Sequence, residues 1–271
     1  MKNSSVKLLV DAGNTCLKWA IFDGQSLSEQ QRCFYSKETA IQQFSDLLTE
    51  LVAKQYVSIS DIVMVSVLGD MFNRQAYKIV LDYGFAFSHI QSIEELAEVK
   101  NGYDDPSKLG ADRFVGLIGA YHLSNNRQEK KKACIIVDSG TATTIDAVDA
   151  QGQHLGGLIL PGLDLCSRSL LKNTQQLPLW GAADRSKELK CNLFSTNTSD
   201  AIYNASILGL SGAIEQISLK MENEIKNKRE EVQINKYLCG GSTQEILPYL
   251  NSDFQSQEDL IMLGLKLIAE S

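Results

Sequence analysis

The sequence predicts an α/β protein made of two copies of one fold, each a mixed sheet flanked by helices. Three observations carry this. The segment Ile135-Ile136-Val137-Asp138-Ser139-Gly140-Thr141 reproduces the pattern of Leu8-Leu9-Val10-Asp11-Ala12-Gly13-Asn14: apolar strand, aspartate, small residue, glycine. A three-strand meander follows from each copy, and each half then turns helical. At 271 residues the chain also exceeds the usual size of one domain. Two domains, 1–125 and 126–271, are expected to share a cleft, with the polar stretch Ser124 to Lys132 as the join.

In order along the chain, Val6 to Val10 and Leu17 to Phe22 read as strands joined by a tight turn, and Cys33-Phe34-Tyr35 as a third strand. Apolar residues at Ile41, Phe44, Leu47, Leu48 and Leu51 have helical spacing. Ile62 to Val67 reads as a buried strand, Arg74 to Leu81 as a helix and Phe85 to Ile90 as a strand. A helix opens near Asp112, with Phe114, Leu117, Ile118 and Tyr121 on one face. In the second half, Thr144 to Val148 and Leu155 to Leu160 flank the turn Gln151-Gly152-Gln153. Helices are expected from Leu163 to Leu171 and Asp200 to Ile225, a strand from Ile234 to Leu238, and closing helices from Gln244 and Asp259.

An apolar fraction of 44% with 22% charged residues is that of a globular chain with a full core. The net charge of −7 argues against a nucleic-acid partner, because binding a polyphosphate surface needs a basic face. The run Lys130-Lys131-Lys132 reads as solvated linker. No apolar run approaches the roughly 20 residues of a membrane span, and the polar start Met1-Lys2-Asn3-Ser4-Ser5 does not resemble a signal peptide, so a cytoplasmic protein without a membrane partner is expected. The cysteines 16, 33, 134, 166, 191 and 239 lie singly, with no CxxC pair; buried reduced thiols are expected rather than a zinc site or disulfide framework. His89, His122 and His154 have no adjacent nucleophile pattern and read as structural.

An aspartate at the end of a buried strand, followed by small residues and glycine, lets a turn bring backbone N–H groups close to phosphate oxygens. Asp11 and Asp138 would face each other, and such carboxylates suit a hydrated Mg²⁺ on ATP phosphates. Thr15 and Thr141 add hydroxyl donors, and Lys18 can neutralise phosphate charge. Each Asp-x-Gly alone also reads as a plain hairpin turn; the repetition in matched context is what favours phosphate. Neither G-x-x-x-x-G-K-[ST] nor G-x-G-x-x-G occurs.

Between the copies, Asn101 to Pro106 is dense in turn formers, and Ser107 to Arg113 leads into a helix whose first turn holds Asp112 and Arg113. From spacing alone Asp112 reads first as a carboxylate placed to favour the helix dipole, ahead of a role in a cleft. Asn197-Thr198-Ser199-Asp200 reads as a helix start capped by a hydroxyl. Cys239-Gly240-Gly241-Ser242, after a strand and before a helix, lets a nucleotide approach backbone, or is a plain turn.

Taken together, these residues resemble the type III pantothenate kinases of the acetate and sugar kinase, heat-shock chaperone and actin superfamily. The resemblance runs nearly end to end. It rests on Asp11-Ala12-Gly13-Asn14-Thr15 with Lys18, Tyr103 with Gly110-Ala111-Asp112-Arg113, Asp138 to Thr143, Pro161-Gly162, Asn197-Thr198 and Gly240-Gly241. It implies duplicated ribonuclease-H-like (actin-like ATPase) domains and phosphorylation of the pantothenate 4′-hydroxyl by ATP, the first step towards coenzyme A. By that similarity Asp112 is the proton acceptor, and Tyr103, Gly110, Ala111, Arg113 and Thr198 line the pantothenate site. Asp11, Ala12, Gly13, Asn14, Thr15, Cys16, Leu17, Lys18 and Thr141 bind ATP. Asp138 binds a monovalent cation, K⁺ or NH₄⁺, while Mg²⁺ accompanies the ATP through water at Asp11. A homodimer is also implied. Two departures from the family pattern are Leu68-Gly69-Asp70, where serine, valine and proline are usual, and Ser242 after the glycine pair.

Three rivals share these features: a nucleotide-binding regulator without turnover, a phosphohydrolase using water as acceptor, and a kinase for another hydroxylated acid or sugar. Only the residues on the acceptor side separate them.

Overall fold

The computed structural model describes residues 6–53, 59–126, 128, 130–173, 193–228, 231–251 and 253–270, of which 171–173 are described by their backbone alone. Two compact units emerge, and the division is not a single cut. Residues up to 131, 148–155 and from 259 onward form the first unit; residues 132–147 and 156–258 form the second. The closing helix, grouped by sequence with the second half, packs on the first half's sheet.

The first unit contains β1 (Val6–Ala12), β2 (Cys16–Phe22), β3 (Gln31–Phe34), α1 (Ala40–Ala53), β4 (Ile59–Ser66), α2 (Asp70–Asp82) and β5 (Ala86–Ile90). A small hairpin follows, β6 (Glu95–Leu96) and β7 (Val99–Lys100), then α3 (Ala111–Asn125). The hairpin turns at Ala97 and Glu98, both at positive φ (47° and 62°), the pairing a tight two-residue turn requires. The second unit contains β8 (Ala133–Ser139), β9 (Ala142–Val148), β10 (His154–Pro161), α4 (Leu163–Asn173), α5 (Thr198–Lys228), β11 (Ile234–Cys239), α6 (Thr243–Ile246) and β12 (Phe254–Ser256). The closing helix is α7 (Leu260–Glu270).

The sheets have the same topology. One is ordered β3-β2-β1-β4-β5 and the other β10-β9-β8-β11-β12. In the first, β1 pairs antiparallel with β2 and parallel with β4; in the second, β8 pairs parallel with β11. This is the mixed, duplicated α/β architecture expected from the repeat. The short strands β6, β7 and β12 have no counterpart among the expected elements, because two or three residues are too few to establish a period.

Strand β1 shows why the first sheet is covered on both faces. Leu8, Val10 and Ala12 join Phe44, Leu48, Phe72 and Val80 of α1 and α2, whereas the alternate Leu9 joins Val115, Met262 and Leu265 of α3 and α7. Each of these leucine, valine, phenylalanine and methionine side chains contributes roughly 1.5–3 kcal/mol by burial. Helix α3 departs from the one-faced pattern: every residue from Phe114 to Tyr121 is buried. It meets α7 closely, since a Cβ on Gly119 would lie 2.1 Å from the Leu260 carbonyl oxygen and one on Gly264 equally close to that of Val115. Its end corrects the linker expectation, for Ser124 and Asn125 are buried and the Asn125 amide donates to the Tyr121 carbonyl at 2.9 Å.

In the second unit, Ile135, Val137, Ile145 and Leu238 of the sheet pack against Ile207, Leu210 and Ile214 of α5. Beside this core, the nearly buried Lys236 ammonium lies 2.7 Å from Glu222 Oε2 and 3.5 Å from Asp253 Oδ1. Hydrogen bonds from Lys226 and then Lys236 hold the Glu222 carboxyl below its usual range. Burial pulls the Lys236 ammonium down, but the hydrogen bond and charge of Glu222, then Asp253, outweigh it and leave it raised. A carboxyl depressed on folding stabilises above its unfolded pKa and loses that contribution as pH falls through the folded value. Glu222→Gln should therefore lower unfolding stability by roughly 1.5–3 kcal/mol near neutral pH. The gap should close as pH falls from about 4.3 downward, read by urea unfolding across that range.

Among the described residues no disulfide forms. Cys134 and Cys239 are buried, whereas Cys16, Cys33 and Cys166 are half-buried. Cys191 lies outside the described residues. No described helix is long and apolar enough to cross a membrane.

Candidate functional site

The first turn lies at the carboxyl end of β1. Asp11, 4% exposed, stands opposite Lys18 in the β1–β2 register, with Lys18 Nζ 3.9 Å from its Oδ2. Gly13 N–H donates to the Cys16 carbonyl at 3.1 Å, closing the loop that leaves Asn14 and Thr15 exposed. Tyr35 clamps this loop from the end of the next strand: its hydroxyl donates to the Gly13 carbonyl and its N–H to that of Thr15. Burial, and then the Asp11 charge, push the Tyr35 phenol well above its usual range, so it remains a donor. Burial raises the Cys16 thiol against the opposing pull of Lys18, which leaves it neutral near pH 7. No short motif marks Tyr35 as part of this turn, because its contact with Gly13 spans 22 residues.

The second turn, in the other unit, gathers three segments that are remote in sequence. Asp138 stands opposite Cys239 in the β8–β11 register. Gly240 (φ 94°) runs so near it that a Cβ there would lie 2.4 Å from Asp138 Oδ1 and 2.5 Å from the Ser139 carbonyl oxygen. Ser242 N–H donates to that oxygen at 3.0 Å. Gly140 N–H donates to the Ala142 carbonyl, and Gly162 N–H to that of Thr141. A Cβ on Gly162 would lie 2.2 Å from the Gly140 oxygen. Thus Asp138, Gly140, Thr141, Gly162 and Gly240 converge. Thr141 itself is exposed.

Thr198, also of the second unit, is the exposed first residue of α5. The cap differs from the hydroxyl anticipated. Asn197 Oδ1 accepts from Asp200 N–H at 2.9 Å and its amide donates to Asp200 Oδ2 at 2.6 Å, so an asparagine performs the capping.

At the start of α3 the first unit brings together Tyr103, Gly110, Ala111, Asp112 and Arg113. Asp105 caps a 3-10 turn, Pro106–Lys108, through the Ser107 N–H, and Gly110 begins the helix proper. Asp112 Oδ1 accepts from the Arg113 N–H at 2.7 Å. The Arg113 guanidinium donates from Nη1 to the Tyr103 hydroxyl at 2.9 Å and lies 5.6 Å from that ring's centre. This group holds a carboxylate, a guanidinium and a phenol within one half-buried patch.

Next to it is a cavity of about 400 Å³, bounded by Val67, Gly69, Asn73, His89, Ser92 and Gly110. That size lies within the roughly 300–1,000 Å³ of small-molecule sites. Burial pushes the His89 imidazole down, which keeps it neutral. At this wall Gly69 takes φ 88° before α2, so the departure Leu68-Gly69-Asp70 touches the cavity as well as the core. His122 Nε2 lies 2.8 Å from the Ala97 carbonyl oxygen and His154 is buried, both within the first unit.

Comparison with known proteins gives these geometries a context. The type III pantothenate kinase family pattern matches residues 7–220. A type III pantothenate kinase of Janthinobacterium sp. (strain Marseille) is 33% identical over 266 residues, covering 97% of this chain and 96% of that one. The chain is similar in fold to MreB 5 of Spiroplasma citri bound to AMPPNP (TM-score 0.55, 10% identity, 97% and 96% covered). It is likewise similar to the ethanolamine utilization protein EutJ of Carboxydothermus hydrogenoformans (TM-score 0.53, 14% identity, 98% and 89% covered). These two likenesses show an actin-like ATPase fold; the match over most of the chain shows more. The chain belongs to the type III pantothenate kinase family.

Proposed function

We propose that this chain transfers a phosphoryl group from ATP to the 4′-hydroxyl of pantothenate, the first step of coenzyme A biosynthesis. Beyond family membership, the observation that carries the reading is the grouping of Asp112, Arg113 and Tyr103 at the start of α3. In this role Asp112 orients the primary alcohol and accepts its proton. Arg113, held by Tyr103, binds the pantothenate carboxylate through paired hydrogen bonds. Gly110, Ala111 and Thr198 complete the acceptor's surroundings. Residues 11–18 and Thr141 bind ATP, with Lys18 opposing phosphate charge.

The donor set at Asp11 fits a divalent ion reached through water. Lys18, 3.9 Å away, already balances one charge, and Mg²⁺ retains waters readily. When bound, Mg²⁺ screens the phosphate charges. Asp138, half-buried against the backbone of Ser139 and Gly240, fits a single monovalent cation. ADP release is accordingly expected to rise when K⁺ or NH₄⁺ replaces Na⁺, and Asp138→Asn should abolish the difference. Equal rates in sodium-only and potassium buffers would count against the cation site.

A cytoplasmic homodimer completes the reading. The homodimer draws support from apolar residues left exposed in the second unit: Leu158 and Ile159 of β10 and Leu165 and Leu170 of α4 are each about half exposed or more.

A further inference from the structure

Tyr103 is held by more than Arg113. Its ring lies nearly parallel to that of His154, with centroids 6.0 Å apart and planes inclined by 16°, an offset stack. His154 is 1% exposed and opens β10, at the tip of the β9–β10 hairpin. That tip is clasped against the segment carrying Tyr103. Lys100 N–H donates to the Gly152 carbonyl at 2.8 Å, and Gly102 N–H donates to His154 Nδ1 at 3.4 Å. The backbones meet so closely that a Cβ on Gly102 would lie 2.0 Å from the His154 carbonyl oxygen. Acceptance at Nδ1 places the proton of the neutral ring on Nε2.

A sequence of contacts therefore runs from the hairpin tip through His154 and Tyr103 to Arg113. Tyr103 is half-buried within a turn-rich loop, and a loop side chain left to itself samples several rotamers. The buried imidazole removes that freedom. The guanidinium in turn takes its place from the Tyr103 hydroxyl and ring face.

We propose that His154 is a positioning residue for the acceptor substrate: by fixing the Tyr103 ring it sets where Arg113 presents its guanidinium to a carboxylate. This rests on the acceptor-side role proposed above for Tyr103 and Arg113. Such a residue acts on acceptor binding and leaves the ATP side alone, which a general loss of stability would not do.

The test is steady-state kinetics of His154→Leu and His154→Phe, with Arg113→Ala measured alongside. His154→Leu keeps volume and removes the ring, and should raise the KM for pantothenate about 10- to 100-fold, with the KM for ATP and kcat nearly unchanged. His154→Phe keeps a ring and should return the pantothenate KM to within roughly threefold of wild type. In a Tyr103→Leu background the His154→Leu effect should vanish. If His154→Leu yields no soluble protein, His154→Gln serves as the ring-deleted variant. An unchanged pantothenate KM in the ring-deleted variant, an equal rise in the KM for ATP, an undiminished effect without Tyr103, or a Phe variant as impaired as Leu would each overturn the proposal. Arg113→Ala separates the two layers: an unchanged pantothenate KM there removes the acceptor-site reading itself, whereas a raised one with His154→Leu unaffected removes His154 alone.

Discussion

Asp112→Asn is expected to fold as the parent does and to lose about 10²- to 10⁴-fold in kcat, the range a positioned general base contributes. The two halves of this prediction have separate physical origins. Asp112 Oδ1 accepts the Arg113 N–H at 2.7 Å, and an asparagine oxygen accepts the same bond. The replaced charge sits in the first turn of α3, where a carboxylate stabilises by only about 0.3–1 kcal/mol through the helix dipole. What asparagine cannot do is take up a proton from the alcohol. Thermal unfolding followed by circular dichroism, together with ADP release at saturating substrates, checks both halves. Wild-type-like turnover in the folded variant would remove Asp112 from the mechanism.

Gly240→Ala should be strongly damaging in the second unit's turn, because it adds backbone strain to a steric clash. At φ 94° an alanine is strained whatever the space, by about 1–3 kcal/mol. Here its Cβ would also lie 2.5 Å from both the carbonyl carbon and oxygen of Ser139, and main chain of a central strand cannot swing aside as a flexible side chain can. A loss of roughly 2–5 kcal/mol in urea unfolding is expected, with Asp138 displaced and potassium activation reduced. Gly241→Ala is the control, since nothing lies within 4 Å of its Cβ position; a change within about 0.5 kcal/mol is expected. Similar unfolding curves for the two variants would contradict the packing described for this turn.

Much of the fold is legible in the sequence because its strongest signals are local. The apolar run of β1, the long apolar faces of α1 and α5 and the repeated Asp-small-Gly turns each declare themselves within about ten residues. The matching sheet orders then follow from the repeat. Other features depend on contacts between distant segments. Helix α7 returns to the first unit because its apolar residues meet Val115 and the β1–β4 face, a pairing that no period encodes. Helix α3 is buried all round, so its periodicity is flattened.

The candidate site divides along the same line. The Asp11 and Asp138 turns and the Asp112-Arg113 pair can be named from sequence, since each combines a charged group with a glycine-bearing loop. Tyr35 at Gly13, Gly162 at Gly140, and His154 at Tyr103 cannot, because each meets its partner across at least 22 residues. The α5 cap escapes the sequence for a subtler reason. Asn197 and Thr198 are adjacent capping residues, and only the hydrogen bond from Asp200 N–H to Asn197 Oδ1 decides between them.

The most direct measurement is ADP release by the wild-type chain, with ATP, Mg²⁺ and K⁺ present, over a panel of acceptors. The panel would contain pantothenate, pantothenyl alcohol in which the carboxylate is replaced, other hydroxylated acids and a sugar, and a reaction with no acceptor. ADP release that depends on pantothenate and falls when its carboxylate is removed is the expected result. ADP release without any acceptor, or at equal rates across the panel, would contradict the assignment of Asp112, Arg113 and Tyr103 to a pantothenate-binding site.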